Sequence, residues 1–451
     1  MISRVRERWS RWRSSLWFLP ALMVLAAFLG AVGMIQLSAF VPREWLMRFP
    51  RLFGADAQSS RSMLSTIAGS MATIVGVTFS ITVVAVAQAS SQYTSRILRN
   101  FLSDQPSQVV LGMLAGTFVY CLVLIRTIRG DTDALFIPGL GILVAFALAI
   151  LSIGFLVFFI HHIAESLQAS QVLARVRRDT IAAIDRTYPD GAESVTAAVS
   201  VAPSMGDWQW LNAPDTGYLQ QVDGGALVAW ACRCDAVVRL APKIGDFVVE
   251  GTPLLAIGRR DSGIARDAVP RRADLAEAEL TDACSIGAYR TVEQDASFGI
   301  QQVVDIADKA LSPGINDSTT AVNAIDTLSA ILIRLGPRLI DTPSRVIDDI
   351  QRLIAPGHTY EELVRISLDQ LRRSASADVG VSIHLIRMLA RVIVETPIAS
   401  RRLTLAAGAI LVRDAASNRV TLEADRVVIA AAYEHVTAAM THQAGDSASR
   451  E

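Results

Sequence analysis

Four apolar stretches in the first 160 residues constrain this chain more than anything else in it. They run approximately over 16–37, 65–87, 109–125 and 135–160. A hydrocarbon core about 30 Å thick takes about 20 helical residues to cross. Inside it the backbone N–H and C=O groups must bond one another, which a helix achieves within its own segment. The expected fold class is therefore membrane all-α, with four transmembrane helices. Arg4, Arg6, Arg8, Arg11 and Arg13 precede the first stretch. A basic start before an apolar run also describes a signal peptide. This run is too long for one, and no small-x-small cleavage site follows it near 40–43. It reads as an anchor.

Orientation follows from arginine placement. The five N-terminal arginines fall on the same side as Arg96, Arg99, Arg175, Arg177 and Arg178, which makes ten. The opposite side has six: Arg43, Arg48, Arg51, Arg61, Arg126 and Arg129. Both termini are expected to be cytoplasmic, in a bacterial inner (plasma) membrane, with the lipid bilayer as the first partner. Trp9, Trp12, Trp17 and Trp45 flank the first span, where an interfacial aromatic belt belongs. The formal charge is +7 up to Ile160 and −8 beyond it. An acidic second part leaves no basic stripe for nucleic acid. Cys121, Cys232, Cys234 and Cys284 lack the paired spacing of a zinc site or a disulfide framework, so no metal and no cofactor is expected.

The second span differs from its neighbours. Ser65, Gly69, Thr73, Gly76 and Ser80 recur at steps of three and four, which places them on one helical face. Small residues let helix backbones approach where no hydrophobic drive acts between helices. The same hydroxyls and bared backbone can line a wet pathway. Both readings stand for this face, as they do for the Gly112-x-x-x-Gly116 pair of the third span. No Asp, Glu or Lys lies mid-membrane, which speaks against an ion-coupled transporter. His161 and His162 follow at the membrane boundary.

Four regions result. Residues 1–162 form the transmembrane domain. Residues 163–215 read as a helical stalk, continuing the fourth span to about Arg186, and a linker. Residues 216–260 form a small β-rich module. Its Gly245-Asp246-x-Val248-x-x-Gly251-x-Pro253-Leu254 pattern resembles the hairpin of barrel-sandwich carriers. The carrier role does not follow, because Lys243 lacks the usual flanks and Asp308-Lys309-Ala310 sits in a helical pattern. Residues 273–445 read as a cytoplasmic α-helical bundle. Helices are expected over 273–286, 300–311, 318–335, 345–353, 360–373, 379–395 and 425–439, with a short hairpin near 410–420.

Two stretches are recognisable. One runs from Ser80-Ile81-Thr82 through Ala89-Ser90-Ser91-Gln92 to Arg99-Asn100-Phe101-Leu102. The other runs from Glu293-Gln294-Asp295-x-x-Phe298-Gly299 through Ala310-Leu311-Ser312-Pro313-Gly314-Ile315-Asn316-Asp317 to Thr319-Thr320-Ala321. Together they resemble a bacterial family of predicted membrane proteins, domain of unknown function number 2254. The resemblance implies the four-span topology and brings no catalytic residues with it.

The second stretch is polar beyond what a bundle needs. Arg290, Glu293, Asp295, Asp305, Asn316 and Asp317 form a candidate cytoplasmic contact or ion site if the helices flanking the turn run antiparallel. Helix capping by Asp295 and Asp317 accounts for the same residues. No P-loop, G-x-S-x-G, dinucleotide fingerprint or helical His pair is present, and no enzymatic activity is expected. Two function classes remain. One is a homo-oligomeric channel or permease with a cytoplasmic regulatory domain. The other is a non-conducting scaffold or sensor that recruits a protein partner, which the sequence leaves unknown.

Overall fold

A computed structural model describes residues 17–40, 57–92, 105–128, 138–166, 168–190, 208–259, 279–340, 344–347 and 350–448. The chain divides into two compact units, Met1–Gln168 and Ala169–Glu451.

The first unit has four helices long and apolar enough to cross a membrane. They are α1 (Phe18–Phe40), α2 (Ala57–Gln92), α3 (Gln105–Thr127) and α4 (Gly139–Ser166). With 36 residues, α2 is about 54 Å long at 1.5 Å per residue. The unit is built around α3, which touches the other three. Half of the apolar window of α3 is buried, against 6% to 17% in the others. Gly112 and Gly116 make that central position possible. A Cβ at Gly112 would lie 2.6 Å from Met23 Sδ, and one at Gly116 would lie 3.2 Å from Ala27 Cβ on α1. The α3 glycines are therefore packing residues. Polar contacts add to the fit, with Thr117 Oγ1 3.1 Å from Ser152 Oγ and Tyr120 OH donating to Gly141 O at 3.2 Å. Gly116→Leu is expected to destabilise the four-helix unit by about 1–3 kcal/mol through overpacking. Thermal unfolding in detergent measures this.

The second unit begins with α5 (Ala169–Thr187). The sequence reads this segment as a stalk running on from the fourth span. Instead, Val172, Leu173, Val176, Thr180, Ala183 and Ile184 are buried, and α5 packs on α7 (Ala296–Ala310) and α8 (Ser318–Leu335). Its amphipathic pattern serves the core of the unit.

The described strands form two open sheets, and among the described residues no barrel closes. β1 (Gln209–Asn212), β5 (Pro253–Arg259), β3 (Ala236–Leu240), β8 (Ile350–Ile354) and β7 (Ser344–Ile347) form one sheet in that order. β4 (Phe247–Val248), β2 (Gly217–Val222) and β6 (Cys284–Gly287) form the other. The strands on either side of Gly251 thus belong to different sheets, and the barrel-sandwich hairpin is not confirmed. One core joins both sheets to α6 (Gly224–Arg233), with Leu219, Val238, Leu255, Leu353 and Trp230 among its buried residues.

Three sequence expectations change here. The helix expected over 345–353 is the β7–β8 hairpin. That over 273–286 ends in strand β6, while its residues 273–278 lie outside the described ones. The hairpin expected near 410–420 lies inside helix α11 (Ala399–Arg419). The first two segments carry apolar residues at helical spacing, and sheet pairing overrides it: β8 lies parallel to β3, with Val238 opposite Leu353. For the third, packing against α10 (Val379–Glu395) and α9 (Tyr360–Ala375) buries Leu405, Ala409, Val412 and Ala416 along one stripe. The last helix, α12 (Glu423–Ala448), packs on α10 and α11.

Candidate functional site

In the first unit the chemistry lies on α2. Its inner face is Leu64, Ala68, Met71, Thr78 and Ala85, all buried. Ser65, Gly69, Thr73, Gly76 and Ser80 lie on the outer side and are exposed. A Cβ at Gly69 or Gly76 would meet nothing within 4 Å. This face is therefore not used for packing within the unit. Thr73 Oγ1 donates to Gly69 O at 3.1 Å, and Thr66 Oγ1 to Ser62 O at 2.9 Å. Such back-bonding satisfies the hydroxyl protons and leaves oxygen lone pairs facing outward. The difference from α1 and α4 is one of degree, since α2 also exposes Val77, Phe79, Val83 and Val84. α1 exposes Leu22, Leu25, Phe28 and Leu29, and α4 exposes Phe146, Ile150, Ile153 and Val157. Those faces suit lipid. A groove of 710 Å³ beside the α2 face is lined by Ser59, Ser62, Thr66, Phe146, Ile150 and Ile153, among others.

In the second unit, residues 290–299 knit three elements together. Asp295 caps α7, its Oδ1 accepting from the Phe298 amide at 3.0 Å. Its Oδ2 accepts from Arg290 Nε at 2.9 Å and Nη2 at 2.6 Å. Arg290 also lies over the Phe298 ring, 5.0 Å from its centroid. The Gln294 side chain pairs with the Val222 backbone in both directions, at 3.0 and 3.3 Å. Gly299 allows α7 to cross α5 closely, since a Cβ there would lie 2.0 Å from Thr180 Oγ1. The Lys243-Ile244-Gly245 turn presses on the same ion pair. Gly245 has φ +93, and a Cβ there would lie 2.2 Å from Asp295 Oδ2. Glycine is required on both counts.

The six polar candidates do not converge. Arg290, Glu293 and Asp295 lie at the start of α7. Asn316 and Asp317 lie past its end, about 20 Å away along a 15-residue helix. Asp317 caps α8, and its contacts with Thr320 hold its carboxyl below the usual range. Asn316 takes φ +51 in the turn, and Asp305 accepts from Gln301 Nε2 at 2.8 Å. Among the described residues, no three His, Cys, Asp or Glu side chains are placed to hold a metal ion.

A cavity of 560 Å³ opens beside Asp295. Its lining includes Tyr188, Gln221, Lys243, Glu293, Ile340 and His358. Lys243 Nζ donates to both Glu362 oxygens, at 3.2 and 2.9 Å, and His358 Nδ1 lies 3.1 Å from Oε2. The Lys243 ammonium, with His358 and the Thr359 amide behind it, holds the Glu362 carboxyl down to about 2. Burial, with the Asp295 charge adding to it, pushes the Tyr188 phenol up to about 12, so it faces the cavity as a neutral donor. Tyr188, His358 and Glu362 escaped sequence reasoning, and Lys243 was weighed only as a carrier lysine. The available signal was local: Thr359-x-x-Glu362 before an apolar run is a capping box, and the structure forms one. Glu362 stabilises the fold fully above about pH 4.5, and that contribution is lost as pH falls toward 2. Glu362→Gln is therefore expected to flatten the pH dependence of the thermal midpoint across that window.

The family described as "Predicted membrane protein (DUF2254)" matches residues 13–391. The chain belongs to that family. Uncharacterised proteins of Mycobacterium tuberculosis (strains CDC 1551 and H37Rv) and Mycobacterium bovis are each 31% identical to it over 431 residues. Each alignment covers 92% of this chain and 80% of the relative. No solved structure matches. The match spans the four apolar helices, the α2 face, the motif at 290–299 and the cavity. Helices α11 and α12 lie beyond it.

Proposed function

We propose that this DUF2254 protein is a homo-oligomeric channel or permease of the bacterial inner membrane. Copies meet around α2, whose hydroxyl-and-glycine face lines a wet path, and the unit from Ala169 onward regulates it from the cytoplasm. One observation carries this reading. The outward side of α2 carries hydroxyls and glycines from Ser65 to Ser80 beside exposed Val77, Phe79, Val83 and Val84, whereas the outward faces of α1 and α4 are mainly large apolar side chains. Lipid offers no hydrogen-bonding partner to such a face, whereas water or a second copy does. The glycines of α3 are taken up by packing on α1, whereas Gly69 and Gly76 of α2 stay open to an assembly, as do Gly30 and Gly33 of α1 and Gly154 of α4. The arginine asymmetry supports cytoplasmic termini. Chemical turnover has no part in this reading.

A second reading is a non-conducting sensor or scaffold. The 560 Å³ cavity favours it, since its volume falls in the range of small-molecule sites. Ion flux through the purified full chain in liposomes, with oligomeric mass measured on the same sample, separates the two. A current from an oligomer supports the channel. Tight liposomes across pH, calcium and voltage favour the sensor.

A further inference from the structure

The second unit is acidic in sequence, and many of its arginines face a carboxylate. Glu279 meets Arg233, Asp185 meets Arg334 and Arg338, Asp235 meets Arg352, and Glu423 meets Arg426. One groove departs from that pattern. Between α10 and α12 lies a space of 710 Å³ walled by Arg387, Arg391, His435 and His442. Arg387 and Arg391 stand one helical turn apart on α10, and the two histidines stand two turns apart on α12. Ala390, Val394, Ala438 and Ala439 complete the lining between the walls.

Among the described residues, no carboxylate lines this groove. Neither arginine makes an ion pair with a described residue, although Glu395 follows Arg391 at the favourable i, i+4 spacing. Two guanidinium groups at i, i+4 repel each other. Their placement side by side, with the His435 imidazole opposite, favours an anion between them. Guanidinium forks match the oxygen geometry of phosphate, and their donors are fixed in a plane. The volume lies within the range of small-molecule sites.

We infer that this groove binds a phosphate-bearing anion, its phosphoryl group held by the Arg387 and Arg391 forks of α10 and by a donor from the His435 imidazole of α12. The phosphoryl group is common to two sources, a free phosphoanion and a lipid headgroup. The site is independent of whether α2 conducts.

Calorimetric titration of the full chain in detergent tests this with two probes, inorganic pyrophosphate and dihexanoyl phosphatidate. Arg387→Gln/Arg391→Gln is expected to weaken binding about 10-fold or more, as the loss of charge-assisted hydrogen bonds does. Both side chains are exposed, so the variant keeps the parent's circular dichroism and elution volume. Arg177→Gln/Arg178→Gln, a pair of exposed arginines on α5, should leave binding unchanged. Pyrophosphate binding that follows this pattern assigns a free phosphoanion. Phosphatidate binding alone, with the same pattern, assigns a lipid headgroup. The inference is overturned if neither probe binds, if the double variant binds as tightly as the parent, or if both double variants weaken binding equally.

Discussion

Thr73→Trp is expected to reduce ion flux through proteoliposomes to background while the oligomer keeps its mass. Thr73 sits mid-way along the exposed face of α2, and its hydroxyl bonds only its own helix at 3.1 Å. Nothing within the four-helix unit depends on it, so the unit itself should lose no more than about 0.5 kcal/mol. An indole at that position in every copy fills a narrow path symmetrically. Gly76→Leu should do the same, because its Cβ would meet nothing within 4 Å of its own chain. Sedimentation or mass photometry reads the other outcome. An oligomer that dissociates with either variant assigns the face to contact between copies, and the path must then be sought elsewhere.

The second large effect is expected at Asp295. Asp295→Ala removes the N-cap of α7, worth about 1 kcal/mol. It also strips Arg290 of its counter-charge, and breaking a buried pair costs about 3–5 kcal/mol. Arg290 keeps 27% of its side-chain surface in water, against 1% for Asp295, which places the total near the lower end, about 3 kcal/mol. The thermal midpoint of the second unit should fall by roughly 6–10 °C. Asp295→Asn keeps a capping oxygen and should lose less. Equal losses for the two variants would mean that the charge, not the cap, holds this junction.

The membrane half was legible because hydropathy over 20 residues is a local property, and all four apolar stretches are helices. The α2 face was legible for the same reason, since three- and four-residue steps fix which residues share a side. What lies opposite that side is not encoded locally. The chain shows only that its own α1, α3 and α4 turn elsewhere. Capping by Asp295 and Asp317 could be read from position, as each precedes an apolar helical run. The cavity could not. Lys243 and Glu362 are 119 residues apart, and no spacing rule brings a turn lysine to a helix N-terminus. The β7–β8 hairpin was hidden for a related reason. Its apolar residues fit a helix locally, and only the waiting edge of β3 makes them strands.

That edge has a consequence during synthesis. β3 leaves the ribosome more than a hundred residues ahead of β8, its parallel neighbour. At ordinary elongation rates the interval is roughly 6–20 s. For that time a strand with three buried valine and leucine positions, Val237, Val238 and Leu240, has only β5 beside it. An open edge of that kind pairs readily with another nascent chain. Helices α7 and α8 emerge during the delay, and in the folded unit the turn at Gly245 rests on Asp295 at the head of α7. In the folded unit the Arg290–Asp295 ion pair ties the turn after β3 to the head of α7.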